Sequence, residues 1–197
     1  MRRARTLLWV LVAVATVAVA ALFLTGRSKQ PTQANPANLS TFGGAFTLVG
    51  GDGKPFSSQA LEGKPYAIYF GFTRCGDVCP TTLSRLVKLR KEAANEQALN
   101  IVFVTIEPAH DGPKEVGQYA ELFGSPIIGL TGTQAQIDQV KKQSGIFAQP
   151  MPHAAMGKEM EHTATVLLFD RAGKFVATIA PDEPDQSALV KLKSLAA

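Results

Sequence analysis

The chain has 197 residues, 46% of them hydrophobic and 18% charged, which is the composition of a globular protein and excludes disorder throughout or a collagen-like chain. Its formal net charge is +4, but five of its 20 Lys and Arg residues lie in residues 1–40, which contain no acid, so residues 41–197 carry 15 basic and 16 acidic residues. That larger part lacks the basic excess of a DNA- or RNA-binding protein, and no nucleic-acid partner is expected.

The N-terminal part is predicted to be a membrane anchor followed by a tether. No charge occurs from Leu7 to Leu24, a stretch that follows three arginines and that as a helix would be about 27 Å long, enough to cross a bilayer core. We expect residues 1–25 to form one transmembrane helix in the bacterial inner (plasma) membrane, with a cytoplasmic N-terminus and the domain in the periplasm or outside the cell. A cleaved signal peptide is the alternative, but the apolar stretch is longer than usual for one. Residues 26–41 are polar and predict a flexible tether.

Residues 42–197 are predicted to form one α/β domain. In chain order, the hydrophobic patterns and turn residues predict a strand at 46–49, a central buried strand at 66–72, a helix from 80 to about 95, a strand at 101–106, a helix at 113–123, a short strand at 127–130, a helix at 134–144, a hairpin of strands at 163–169 and 174–179, and a helix at 185–195. This order predicts a mixed sheet with helices on both faces. In such a sheet the reactive loops lie at the carboxyl ends of the strands.

Cys75 and Cys79, the only cysteines, lie between the central strand and the next helix. In helical geometry their spacing places the two Cα atoms about 6 Å apart, which suits a disulfide or a shared metal ion. We expect the positive end of the following helix and the nearby Arg74 to lower the pKa of both thiols. The polar loop around Gly76 and Asp77 argues against two cysteines that act only as small buried hydrophobic residues. Because thiolates both bind metals and attack disulfides, this pair alone leaves both functions open.

His162 is the candidate for a third ligand. It directly precedes the strand predicted at 163–169, which would back it rigidly and allow the ring to point at the cysteine loop on a neighbouring strand. Two thiolates and one imidazole suit Cu(I), whereas structural zinc would normally require a fourth protein ligand that is not obviously placed. Without the cysteines, a structural, hydrogen-bonding histidine would be the better interpretation.

These residues resemble the Sco/SenC family of copper-binding, thioredoxin-like proteins that help to assemble cytochrome c oxidase. The resemblance rests on YFGFTRCGDVCPTTLSRL (69–86), VFVTIEPAHDGP (102–113), IIGLTGT (127–133) and EHTATVLLFDRAGKFV (161–176). It implies a thioredoxin-like α/β fold, a mixed sheet flanked by helices and preceded by one N-terminal transmembrane helix. It also implies that Cys75, Cys79 and His162 are the ligands of Cu(I) or Cu(II).

The second of these stretches departs from the family pattern Asp-Pro-x-x-Asp-Thr-Pro. Glu107 replaces the first aspartate and Gly112 the threonine, while Asp111 matches. In one interpretation this segment contacts a partner protein or the residues that surround the copper ligands. The other is a strand end that leads into a helix, with Asp111 as N-cap and Pro113 as the first helical residue.

A methionine-rich segment precedes His162. Met151, Met156 and Met160, with His153, could offer a weak, transient path for copper to the site, because thioether sulfur selects Cu(I). The alternative is that these methionines fill gaps or lie exposed in a loop. His110 is interpreted as a surface residue.

The resemblance implies a membrane-tethered copper chaperone that delivers copper to the copper-bearing subunit of cytochrome c oxidase during assembly. A periplasmic copper carrier and a thiol reductant are expected as further partners, since a disulfide between the cysteines would abolish binding. The alternative is a thiol-disulfide oxidoreductase that uses Cys75 and Cys79 as a redox pair. The CxxxC spacing, and the absence of any proline between Pro152 and Pro181, argue against it. Peroxidase activity is a weaker third interpretation.

Overall fold

A seven-stranded mixed sheet forms the centre of the part of the chain that the computed structural model describes, which is residues 42–93, 98–150 and 160–197. All of these residues belong to one compact unit, Ser40–Ala197. The strands of this sheet are β1 (Thr47–Gly50), β2 (Pro55–Ser57), β3 (Tyr66–Gly71), β4 (Asn100–Thr105), β5 (Ile128–Thr131), β8 (Val166–Phe169) and β9 (Phe175–Ile179), and a separate two-stranded sheet consists of β6 (Ala148–Pro150) and β7 (Met160–His162).

The strand order is β2-β1-β5-β4-β3-β8-β9. β3 pairs in parallel with β4, and β4 in parallel with β5, whereas the remaining pairs are antiparallel. All six residues of β3 are buried, as are five of the six in β4. Central strands that are covered on both faces need such continuous hydrophobic sequences. For this reason β3 and β4 could be predicted from the sequence.

Four helices flank the sheet: α1 (Val78–Ala93), α2 (Pro113–Glu121), α3 (Gln134–Gln143) and α4 (Asp185–Ala196). α1 packs against α4, while α2 packs against β5 and β1. The start of α3 is fixed by a capping box, in which Thr133 and Gln136 each bond the other's backbone amide. The expected mixed sheet with helices packed against it is confirmed.

The structure differs from the predicted elements in three places. The segment after β1, for which the sequence predicted no element, contains the edge strand β2 and a short 3-10 helix at Ser58–Leu61. The strand predicted at 163–169 begins only at Val166, and His162 ends the β6–β7 hairpin that the sequence did not reveal, with residues 163–165 between the two in neither strand. These short strands lie at an edge or outside the main sheet, where little hydrophobic alternation is needed.

The predicted membrane anchor at residues 1–25 and the tether at 26–41 lie outside the described residues. Within the ranges given above, no helix combines the length and hydrophobicity needed to cross a bilayer.

Candidate metal centre

The two cysteines occupy different structural positions. Cys79 lies in the first turn of α1 and is fully buried, so it belongs to the helix and not to the predicted loop. Cys75 precedes the helix and is half-buried. The backbone amide of Cys79 donates to the Cys75 sulfur over 3.3 Å. The loop therefore folds back onto the helix N-terminus, where free amide groups stabilise negative charge.

His162 is brought to the same place by the strand order. β8 runs antiparallel to β3, so the chain segment before β8 lies at the carboxyl end of β3. His162 ends β7, and its backbone pairs with that of Ala148 in β6. The rigid backing for this residue is thus the β6–β7 hairpin, whereas the sequence had assigned it to the strand that follows.

The imidazole faces the cysteines. Its Nε2 atom lies 3.6 Å from the sulfur of Cys79, and its Nδ1 atom lies 3.1 Å from the carbonyl oxygen of Thr163. A proton on Nδ1, donated to that carbonyl, leaves the lone pair of Nε2 directed at the sulfur. The ring edge packs against Phe72, with ring centroids 5.9 Å apart.

The two thiols differ strongly in acidity. Hydrogen bonding from Cys79, helped by the contact with His162 and by the backbone amides of Asp77 and Cys79, lowers the pKa of Cys75 to about 4 against the opposing effect of burial. The pKa of Cys79 is raised, first by the hydrogen bond that it gives to Cys75 and then by burial. The expectation that both values fall is right for Cys75 and wrong for Cys79, because the pair keeps one proton on the buried sulfur.

Arg74, expected to act on the thiols, forms an ion pair with Glu107, at 3.0 Å from Nη2 to Oε2. Glu107 follows β4, so this pair connects the cysteine loop to the next strand of the sheet. The glutamate that replaces the usual aspartate therefore contacts this loop directly.

Asp111 is not the N-cap that the sequence suggested. Gly112 is the N-cap of α2, without a side-chain capping bond, although Pro113 is the first helical residue as expected. Asp111 is fully buried, and its carboxylate accepts from the amide and hydroxyl of Thr73 and from the hydroxyl of Thr105. Its carbonyl accepts from the Thr131 hydroxyl. The local sequence contains no signal for this role, because the partners of Asp111 come from three different strand ends.

The remaining predicted residues divide between described and undescribed parts of the chain. His110 is exposed, as expected of a surface residue. Met151, His153 and Met156 lie outside the described residues, and Met160 begins β7. The methionine path stays a prediction.

The structure thus brings Cys75, Cys79 and His162 together at the carboxyl end of β3, an interior strand of the sheet. Among residues 42–93, 98–150 and 160–197, no group of three or more His, Cys, Asp or Glu side chains is arranged as a complete metal site. The Cys79 sulfur and the His162 Nε2 atom lie 3.6 Å apart. A metal ion held by all three side chains would require one of them to turn.

A mixed, helix-flanked sheet with a cysteine pair at the start of a helix and a facing histidine places this molecule among the thioredoxin-like α/β proteins. The sequence model of SCO1/SenC matches residues 34–197. The chain belongs to the SCO1/SenC family.

Individual relatives agree with this assignment. The mitochondrial protein SCO2 of Saccharomyces cerevisiae is 32% identical over 155 residues, which cover 77% of this chain and 52% of that protein. The chain therefore spans about half the length of this relative. The copper-bound structure of ScoI from Bradyrhizobium japonicum matches with a TM-score of 0.69 and 32% identity, over 78% of this chain and 99% of that one.

BsSco, described as a member of the Sco family of cytochrome c oxidase assembly proteins, matches with a TM-score of 0.61 over 79% of this chain and 93% of its own. At 22% identity this likeness supports the fold alone. The thioredoxin-like architecture is thereby confirmed.

Proposed function

We propose that this chain binds one copper ion through Cys75, Cys79 and His162 and delivers it to the copper-bearing subunit of cytochrome c oxidase during assembly. The observation that carries the proposal is the 3.6 Å distance between the Cys79 sulfur and the His162 Nε2 atom, with the Cys75 sulfur hydrogen-bonded beside them.

This distance suits two ligands of one metal ion. Sulfur and nitrogen ligands at about 2.3 and about 2.1 Å from a common ion lie roughly 3.5 to 3.8 Å apart at tetrahedral to trigonal angles. Cys75 is already a thiolate near neutral pH, because its pKa is about 4. Cys75 lies in a half-buried loop, so its sulfur can turn toward the ion and become the third ligand.

The chemistry of the donors favours copper. Two soft thiolates and one imidazole, without a fourth ligand, match the preference of Cu(I) and remain acceptable to Cu(II). The copper-bound state of the ScoI structure, which shares the fold and 32% of the aligned residues, supports the same choice.

Delivery follows from the unequal burial of the two sulfurs. Cys79 is enclosed, whereas Cys75 is partly exposed, so a ligand of the acceptor can approach the ion from the Cys75 side before the chain releases it. In this proposal residues 1–25 anchor the chain in the bacterial inner membrane and the domain lies in the periplasm or outside the cell. Anchoring raises the effective concentration near a membrane-bound oxidase subunit. A periplasmic copper carrier would load the site, and a thiol reductant would keep it reduced.

Copper titration of the reduced 197-residue chain in detergent tests the proposal. We expect one copper per chain, a thiolate-to-copper charge-transfer band that disappears in Cys75→Ser, and a loss of affinity of at least about 100-fold in His162→Ala, because loss of an outer-shell partner of a ligand already costs about 10- to 100-fold. His110→Ala is the matched control, because it removes an exposed imidazole elsewhere and should bind as the unmodified chain does. Unchanged affinity in His162→Ala would contradict the ligand set.

The acidity difference also favours a second candidate, a thiol-disulfide oxidoreductase. The Cys75 thiolate would attack a disulfide of an oxidase subunit or copper carrier, and the Cys79 thiol would then resolve the mixed disulfide, leaving Cys75 and Cys79 oxidised and the substrate reduced. The substitution His162→Ala separates the two functions, since it should cripple copper retention while dithiol exchange continues. Rapid reduction of a model disulfide by a chain that binds no copper would favour the enzyme.

A further inference from the structure

The chain directly before Cys75 contacts two acidic residues of one turn. This turn follows β4, and within it the amide of Asp111 donates to the carbonyl of Glu107 over 2.9 Å. The Asp111 carboxylate accepts from the amide and the hydroxyl of Thr73, and the Glu107 carboxylate forms an ion pair with Arg74 at 3.0 Å. The same turn therefore holds the two consecutive residues that lead to Cys75.

The two contacts differ in their exposure to solvent. Asp111 is fully buried, whereas the exposed fraction of the side chain is 44% for Arg74 and 10% for Glu107. The backbone of Glu107 is fixed, because its amide donates to the hydroxyl of Thr105, the last residue of β4. The acid of this ion pair is thus held against the sheet, and water reaches the arginine. Such a pair adds little to folding stability, and salt weakens it.

The loop that follows Arg74 is open to solvent. Gly76, Asp77 and Val78 are exposed, and a Cβ atom built at Gly76 would meet nothing within 4 Å. Cys75 is half-buried and lies between this exposed stretch and Arg74. The ion pair therefore acts on the residue next to Cys75, at the point where the well-packed part of the chain leads into the exposed loop.

We propose that the ion pair between Arg74 and Glu107 restrains Cys75 as a ligand of copper and thereby sets how fast the ion leaves the site. The inference rests on the proposed copper function. During transfer, a donor atom of the acceptor forms a bond to the ion while the bond from the ion to the Cys75 sulfur breaks. Copper keeps its oxidation state, no electron is transferred, and the sulfur remains with the chain as a thiolate.

The ion pair affects the step in which this bond breaks. While Glu107 holds Arg74, a Cys75 sulfur that has left the ion stays close to it, so the bond re-forms before the acceptor takes its place. Once the pair opens, the sulfur moves away with the exposed loop, and the acceptor replaces it sooner. Arg74 and Glu107 are positioning residues in this scheme, because they act through Cys75.

Glu107→Gln removes the negative charge of the pair and keeps the size of the side chain, and Asp185→Asn is its matched control. Asp185 pairs at 2.7 Å with Arg85, which lies on the helix that also carries Cys79, so the control weakens another ion pair with the same change in net charge. Copper-free Glu107→Gln should unfold at the same denaturant concentration as the unmodified chain. Copper release is measured as the transfer of Cu(I) from the loaded chain to an excess of a chelator.

We expect Glu107→Gln to release copper roughly threefold faster than the unmodified chain, which is the scale of one water-exposed ion pair, and Asp185→Asn to release it at the unmodified rate. Raising sodium nitrate from about 0.05 to about 1 M should speed release from the unmodified chain, because salt screens the pair, and should have little effect on Glu107→Gln. Release from Glu107→Gln that rises with salt as steeply as release from the unmodified chain would overturn the inference.

Arg74→Gln and the double variant test whether the two residues act as a pair. Since both changes break the same contact, the double variant should release copper no faster than the faster single variant. The inference fails alone if Glu107→Gln matches the unmodified chain, if Asp185→Asn speeds release equally, or if the two single effects multiply. It also fails if copper-free Glu107→Gln unfolds at a clearly lower denaturant concentration, since the pair would then be a folding contact. If the unmodified chain binds no copper, the proposed function fails with it.

Discussion

Asp111 connects the candidate metal centre to three parallel strands. Its carboxylate bonds Thr73, which follows β3, and Thr105, which ends β4, while its backbone carbonyl accepts from Thr131, which ends β5. Thr73 lies two residues before Cys75. A single buried carboxylate thus holds the chain at the point where the cysteine loop leaves the sheet.

Replacing Asp111 by Ala should destabilise the protein and weaken copper binding together. The change leaves the amide of Thr73 and the hydroxyls of Thr73 and Thr105 without their acceptor, which should cost about 2–4 kcal/mol of unfolding free energy. Denaturant unfolding and copper titration of the same preparation measure the two effects. Asp111→Asn keeps one acceptor oxygen and should lose about 1 kcal/mol. An Ala variant as stable as the Asn variant would show that these bonds do not hold the loop.

At the residue scale, the candidate ligands could be predicted from the sequence because their side chains have distinctive chemistry. Residues whose role depends on their tertiary contacts, such as Asp111, could not. Two cysteines four residues apart and a histidine before a strand are rare enough to select from the sequence alone. Asp111 has the same local sequence as a helix N-cap, and only the packing of three strand ends around it distinguishes the two roles. The pKa of Cys75 falls and that of Cys79 rises because Cys79 is the more buried thiol and donates its hydrogen bond to Cys75. The spacing of the two cysteines in the sequence predicts neither the difference in burial nor the direction of this hydrogen bond.

At the scale of elements, the close approach of α1 to β3 places Cys79. The position of a Cβ atom at Gly71 is 2.9 Å from the Cys79 sulfur and 3.1 Å from atoms of the Phe103 and Tyr69 rings. No side chain larger than that of glycine fits there without displacing a neighbour. Glycine at the end of β3 is therefore what allows the helix to bring its sulfur next to His162.

Gly71→Ala should push the Cys79 sulfur away from His162. We expect a loss of about 1–3 kcal/mol in unfolding free energy from overpacking, together with weaker copper binding. Gly76→Ala, in the cysteine loop itself, is the matched control, because a Cβ atom there meets nothing within 4 Å. Chemical unfolding and copper competition measure both variants. If Gly71→Ala and Gly76→Ala bind copper equally well, the approach of the helix to the strand does not control the site.

Helices and strands with a long, regular hydrophobic pattern could be predicted from the sequence, whereas short ones without such a pattern could not. β3 and β4 were evident because every side chain but one is buried, and helix α3 because its apolar residues and cap are regular. The β6–β7 hairpin was not, since each strand has three residues and its pairing joins segments that the sequence separates by nine. That hairpin is nevertheless the element that holds His162.

At the scale of the whole molecule, charge and hydrophobicity separate the chain into two parts. Residues 1–40 hold five basic residues, no acid and the apolar stretch from Leu7 to Leu24, while the rest is close to neutral. The residues of the candidate metal centre all lie within Ser40–Ala197. Copper binding and copper delivery should therefore respond differently to loss of the N-terminal part.

A chain without residues 1–25 should bind copper normally and deliver it poorly. Its ligands are unaffected, so copper titration should give the stoichiometry and affinity of the full chain, and the protein should be recovered in the aqueous fraction after cell lysis. Without the anchor, encounters with a membrane-bound oxidase subunit depend on bulk concentration, and avidity arguments predict a loss of roughly 100-fold or more in effective affinity. In cells lacking the native gene, oxidase activity should be low with a chain that is exported by a cleaved signal peptide in place of residues 1–25, and should recover when an unrelated transmembrane helix replaces those residues. Recovery with the unanchored chain at equal abundance would mean that the acceptor is reached from solution.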